Sequence, residues 1–241
     1  MVALIRCLVL PFAFFSFCIL GLLFCLCRPF HKNNTPILAR NLSRLMAPLI
    51  GITVIKRFNS NLDSTSKVFI GNHQNTYDLA TISAMVSNNT VCVGKKSIRW
   101  IPFFGPLFWL SGNILIDRLN KSRARETINQ VALRLSKQQL CVWLFPEGTR
   151  SNGKGLLPFK MGAFHTAIQA KVAIVPVVLS STSHIKLNKW NNGYVIAEVL
   201  DPIETKDYYS ADDAKQLASL CHQKMQQAFT KLNQEACLLN R

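Results

Sequence analysis

The sequence predicts an α/β protein: a mixed, largely parallel central sheet flanked by helices, with an N-terminal hydrophobic helical membrane anchor. Three observations lead there. From about residue 60 onward, short apolar runs alternate with amphipathic stretches, the pattern of buried strands joined by helices. Ahead of them, Cys7–Cys27 (CLVLPFAFFSFCILGLLFCLC) holds no charged residue. The charge is also lopsided: the formal net charge is +16, residues 1–57 carry seven Lys/Arg and no acid, and the first acid is Asp63. These shifts divide the chain into a membrane-associated helical segment, 1–57, and an α/β domain, 58–241.

At about 1.5 Å per residue the uncharged run can cover the roughly 30 Å of a hydrocarbon core. No small-x-small cleavage site follows it; Arg28-Pro29-Phe30-His31-Lys32 does, so a retained anchor is expected rather than a signal peptide. Arg28, Lys32, Arg40 and Arg44 follow the run and only Arg6 precedes it, which puts the bulk of the chain on the cytoplasmic side of the membrane. Pro11 and Gly21 leave a spanning helix and a dipping one both open. Residues 36–57 read as a second helix, with Leu38, Leu42, Leu45 and Leu49 on one face and Arg40 and Arg44 on another. It suits either a membrane interface or packing on the domain, and Pro48 and Gly51 kink or end it.

Strands are expected at Val68–Ile70, Val91–Val93, Ile114–Ile116, Leu140–Phe145, Val172–Leu179 and Tyr194–Leu200. Helices are expected near Tyr77–Val86, Ser122–Lys137, Lys160–Gln169 and Ala211–Ala236. In open sheets of this kind ligands gather beyond the carboxyl ends of the strands. The composition narrows the ligand. Twelve basic residues against three acids between Lys95 and Lys160 suit an anionic membrane surface or phosphorylated small molecules. No zinc-finger spacing, RNP-like segment or regular basic helix face supports a nucleic-acid partner. The eight cysteines form no CxxC pair, so they read as small hydrophobes rather than as a metal site or a disulfide framework.

Two polar clusters fall at strand ends. In NHQNTYD, 72–78, a turn can fold the Asp78 carboxylate back onto the His73 ring, fixing its tautomer and leaving the other nitrogen as a base. Alone, H-x4-D is a weak signal, and the plainer reading leads: Asp78 charges the first turn of a helix and His73 stands in a loop. In FPEGTRS, 145–151, proline ends a strand, Gly148 permits close approach of a ligand to backbone N–H groups, Arg150 offers a planar fork suited to phosphate, and Glu147 can bond a hydroxyl. By itself, E-G-x-R can equally be a turn with a solvated ion pair. Arg118 ends a third strand, Ile114-Leu115-Ile116-Asp117-Arg118. The chain has no G-x-S-x-G elbow and no GxxxxGK[ST] loop. A base without a protein nucleophile implies a substrate that brings its own hydroxyl, and the arginines imply that it also carries phosphate.

NHQNTYD (72–78), GKKSIRWIPFFGPLFWLSGNILIDR (94–118), FPEGTRS (145–151) and IVPVVLS (174–180) occur in this order, and together they resemble the glycerolipid acyltransferase family, in particular the bacterial enzymes that acylate lysophosphatidate. The resemblance covers most of residues 68–180, and the family's hydrophobic N-terminus corresponds to residues 1–57. It implies that His73 and Asp78 are catalytic and that Glu147, Gly148, Thr149 and Arg150, with a contribution from Arg118, hold the phosphorylated acceptor. Val175-Pro176-Val177 would shape the acyl side, and Trp100–Trp109 would line the acyl passage or touch lipid. The implied reaction moves an acyl chain from an acyl-CoA or acyl carrier protein thioester to the sn-2 hydroxyl of 1-acyl-sn-glycerol-3-phosphate. It needs membrane lipids as partners and no metal, bound cofactor or nucleic acid. Acylation of another lysolipid, and a non-catalytic protein that binds anionic lipid on the same fold, are the rival readings.

Overall fold

The computed structural model describes residues 1–58, 62 and 65–240. Its strands are β1 (Ile52–Phe58), β2 (Val68–Gly71), β3 (Thr90–Lys95), β4 (Ile114–Ile116), β5 (Cys141–Leu144), β6 (Ile174–Leu179) and β7 (Gly193–Val199). Its helices are α1 (Val2–Leu26), α2 (Asn34–Ile50), α3 (Phe104–Leu110), α4 (Lys121–Gln138), α5 (Gly162–Ala170) and α6 (Ala211–Leu239). The strands form one sheet in the order β1-β7-β6-β2-β5-β3-β4. Strands β2 to β6 run parallel; β7 is antiparallel to β6 and carries β1 parallel to itself. Every residue of β2, β5 and β6 is buried, which is why these strands read as unbroken apolar runs rather than as alternation.

Side-chain alternation sorts the core into two layers. Val68 and Ile70 of β2 face α4, α5 and α6, packing with Val131, Leu135, Phe164 and Leu217. Phe69 points the other way, with Trp143, Val175 and Val177, onto Ala47 and Ile50 of α2 and onto Ile82 and Met85. Each fully buried large side chain of this kind stabilises the fold by about 1.5–3 kcal/mol.

Two expected elements differ. The helix expected at Tyr77–Val86 is a pair of 3-10 turns, Thr76–Leu79 and Ile82–Met85. The Thr81 and Ser83 hydroxyls return to the carbonyls of Tyr77 (2.9 Å) and Leu79 (2.6 Å) there, bonds that compete with a continuous helix. The helix expected over 36–57 stops at Ile50, and Gly51 caps it in the left-handed region, φ 79°. A Cβ at Gly51 would lie 1.9 Å from the Trp190 carbonyl oxygen, so only glycine fits. The β-branched residues that follow form β1, so the sheet takes residues 52–57 from the stretch assigned by sequence to the N-terminal segment.

Helix α1, 25 residues or about 38 Å long, lies along the domain and is held at both ends. At its start Arg6 is buried and donates to the carbonyls of Leu49, Lys186, Leu187, Lys189 and Trp190. In its middle Phe14 packs on Phe104, and Gly21 lets Leu38 and Leu107 approach closely. Past its end the Phe30 N–H donates to Leu110 O (2.9 Å), and the Thr35 hydroxyl donates to the Asn113 side chain (2.8 Å). The outer face exposes Leu4, Leu8, Phe12, Leu20, Leu23 and Leu26.

Candidate active site

Strand β2 runs out at Gly71, and side-chain amides continue the fixation that the sheet ladder supplied. The Asn72 amide brackets the backbone of Leu179, donating to its carbonyl (2.9 Å) and accepting from its N–H (2.8 Å). Gln74 donates to the carbonyls of Leu179 and Ser180 and accepts from the Thr182 N–H. His73 is thus clamped on either side to the end of β6. Sequence reasoning passed over Asn72 and Gln74; three amides within the four residues after a buried strand were the available signal.

The intervening turn closes Asp78 onto His73, with Nδ1 2.6 Å from Oδ2. The same oxygen accepts the N–H groups of Gln74 (2.8 Å) and Asn75 (3.3 Å), while the Asn75 side chain caps the 3-10 turn through the Tyr77 N–H. Asp78 is therefore the third residue of a 3-10 turn rather than the opening of an α-helix, and it is buried. With Nδ1–H given to the carboxylate, Nε2 carries the free lone pair. Among the described residues none hydrogen-bonds Nε2. The ring, 21 % exposed, stacks on Phe145 with centroids 4.2 Å apart.

The loop after β5 fixes the histidine from its other side. Glu147 is buried; Oε1 accepts the His73 N–H (2.7 Å) and Oε2 the Leu157 N–H (3.1 Å). Burial pushes its carboxyl up to about 7, against the pull of the two amides. The His73 carbonyl in turn accepts the Ser151 N–H (2.8 Å). Gly148 departs from its expected part. Its N–H is given to Phe145 O (3.0 Å) and its carbonyl accepts Arg118 Nη1 (2.5 Å), so it offers a ligand no free donor. The close approach that glycine permits there, at φ 69°, is that of the Lys160 side chain. Thr149 and Arg150 are exposed beside it, and Arg150 Nη1 lies 3.4 Å from the Thr76 hydroxyl, a long contact that leaves the guanidinium open to a ligand. The sheet order puts β2 and β5 side by side, which brings His73, Asp78 and Glu147 together. Arg118 arrives from the end of β4, two strands beyond β5.

Residues 52–180 match the family described as Acyltransferase, a stretch that is more than half of the chain and contains His73, Asp78, Arg118, Glu147, Thr149 and Arg150. The chain belongs to the acyltransferase family. Over 220 residues this acyltransferase is 48% identical to a 1-acyl-sn-glycerol-3-phosphate acyltransferase of Haemophilus influenzae, covering 90% of this chain and 91% of that one. To the Escherichia coli protein of the same name it is 46% identical, covering 90% and 89%. Its fold is that of the crystal structure of the 1-acyl-sn-glycerophosphate acyltransferase from Thermotoga maritima, with a TM-score of 0.74 at 20% identity over 95% of this chain and 97% of that one.

Two further expectations of the sequence find their places in the acyltransferase. Val175-Pro176-Val177 lies wholly buried in β6 against β2. The aromatic stretch reaches the surface instead: Trp100, Phe103 and Trp109 are exposed, and Arg99 lies over the Trp100 ring at 4.5 Å. This stretch adjoins the exposed face of α1, with Phe15 edge-on to Phe103.

Proposed function

We propose that the protein transfers an acyl chain from an acyl thioester, acyl-CoA or acyl carrier protein, to the sn-2 hydroxyl of 1-acyl-sn-glycerol-3-phosphate, giving phosphatidate for phospholipid synthesis. The observation that carries this is the 2.6 Å His73–Asp78 pair, with Nε2 unengaged and arginines beside it. The names of the two bacterial relatives support the choice of acceptor.

In this mechanism His73 Nε2 takes the proton of the hydroxyl as its oxygen attacks the thioester carbonyl. Asp78 holds the ring and stabilises the imidazolium that forms. The tetrahedral intermediate collapses, the thiolate leaves, and the imidazolium returns the proton to its sulfur. Arg150, with Thr149 beside it, receives the phosphate, and Arg118 adds positive charge while shaping the Gly148 turn. Glu147 is a positioning residue: both of its oxygens hold backbone amides, one of them that of His73.

The apolar face of α1 and the aromatic rim support association with the membrane that holds the acceptor. We infer that α1 and α2 lie in one leaflet, because both ends of α1 are tied to the same domain and a spanning helix would part them by about 30 Å. Arg28, Lys32, Arg40 and Arg44 beside the apolar run suit the anionic surface of a cytoplasmic leaflet, which supports a cytoplasmic catalytic domain on the inner membrane.

Free-thiol release from palmitoyl-CoA in the presence of lysophosphatidate tests the chemistry. His73→Ala is expected to lower the acceptor-dependent rate by about 10²–10⁴-fold. In the same assay Arg150→Ala is expected to raise KM for lysophosphatidate by about 10–100-fold with kcat nearly unchanged. Equal release by wild type and His73→Ala would remove His73 as the base, and release that ignores the acceptor would make the protein a thioesterase.

A further inference from the structure

A cleft of about 1580 Å³ opens between α4 and α5 and runs to the residues before α6. It begins beside the catalytic groups, at Phe145, Gly148 and Arg118, and follows α5 to Lys171, Lys206 and Tyr208. Phe145 joins the two sites, because it lines the cleft and its ring stacks on His73. Three properties describe an occupant. The volume exceeds the roughly 300–1,000 Å³ of an ordinary small-ligand pocket, which calls for a long molecule. The described lining residues include five Lys/Arg (Arg118, Arg125, Lys160, Lys171, Lys206) and no Asp or Glu, which calls for several negative charges. The cleft also lies on the sheet face covered by α4, α5 and α6, whereas α2, which packs against α1, covers the opposite face. A ligand that enters there approaches through water, not from the bilayer.

The acceptor proposed above is a lipid with one phosphate. The donor is the substrate whose carrier is long, water-soluble and phosphorylated. We propose that the α4–α5 cleft seats the phosphorylated phosphopantetheine carrier of the acyl donor, in the form of coenzyme A. The thioester lies at the Phe145 end, within reach of the acceptor hydroxyl activated by His73, and the phosphates extend toward Arg125, Lys171 and Lys206. This rests on the acyl transfer proposed above and adds where the second substrate comes from. The sheet then separates the two: lipid arrives from the α1–α2 side and donor from the α4–α5 side, meeting at the carboxyl ends of β2 and β5.

The test compares wild type with Arg125→Glu/Lys206→Glu, two exposed positions away from the core, using three donors and lysophosphatidate as acceptor. The donors are palmitoyl-CoA, palmitoyl acyl carrier protein and the palmitoyl thioester of N-acetylcysteamine, which keeps thiol and amide but no phosphate. The expected result is a KM for palmitoyl-CoA raised about tenfold or more. KM for lysophosphatidate and the rate with the phosphate-free donor should stay unchanged, the latter also showing that the variant is folded. An unchanged KM for palmitoyl-CoA overturns the proposal, and so does a shift in KM for lysophosphatidate. A defect confined to the carrier-protein donor also overturns it, by making the charges a protein-docking surface. His73→Ala, run beside it, reports on the chemistry alone: activity that survives there sinks the acyl-transfer mechanism whatever the cleft variant does.

Discussion

A single carboxyl, that of Glu147, links the two polar loops, and it does so at a cost in solvation. Burial raises it from the usual 4.5 to about 7, so the folded chain holds the proton more tightly than the unfolded one. The stability this contributes is full below pH 4.5 and is lost as pH rises through about 7. Glu147→Gln, which cannot titrate, is expected to flatten that decline, measured as denaturant midpoints at several pH values. An undiminished slope in the variant would assign the titration to another group. His73 and Asp78 were legible in the sequence because one turn joins them and their geometry is local. The Glu147 link was not, since it depends on β5 lying next to β2, which residue spacing does not encode. Gly148 misled for a related reason: a glycine announces a close approach but not its partner, here Lys160.

At the scale of elements, Arg6 ties α1 both to α2, through Leu49, and to the α/β domain, through residues 186–190. Five backbone carbonyls surround one guanidinium. Arg6→Met keeps a long apolar stem but removes this donor from all five; the Lys186 and Lys189 carbonyls keep the Asn192 amide, while the others lose about 1–3 kcal/mol for each one that water cannot reach. The loop at residues 186–190 should then open more often, and trypsin should cut after Lys186 and Lys189 at least about tenfold faster. Equal cutting would show that the loop is held by other bonds. The same paragraph of sequence that hid this role also hid β1. Arg6 read as a lone flanking charge because its partners lie about 180 residues away. Residues 52–57 read as the tail of a leucine-faced helix because no polar break other than Gly51 separates the two. The buried strands, by contrast, were plain in the sequence: a parallel strand covered on both faces has to be apolar throughout.

The whole molecule has an apolar, aromatic-rimmed side and a basic side, with the His73–Asp78 pair at the sheet's carboxyl edge. The one-leaflet placement proposed for α1 makes a topological statement that can be read directly. Val2→Cys and Lys32→Cys, each made with the native exposed cysteines replaced by serine, are expected to react with an impermeant maleimide from the same side of a proteoliposome. Labelling from opposite sides would mean that α1 crosses the bilayer. The fold class was legible from composition and alternation alone, because both follow from burial. The side of the sheet on which each helix packs was not, because crossover connections fix it only in three dimensions.

The Arg6 knot also imposes an order in time. Its carbonyl partners at Lys189 and Trp190 lie 183 and 184 residues downstream. At about 5–20 residues per second, a ribosome needs roughly 10–40 s to make them after Arg6 is joined to the chain. Through that interval the apolar helix has no finished domain to rest on. The loop that locks Arg6 also carries Thr182, which holds Gln74 beside His73. One loop thus serves both Arg6 and the surroundings of His73, so docking of the apolar helix and completion of the candidate site come together, late in synthesis.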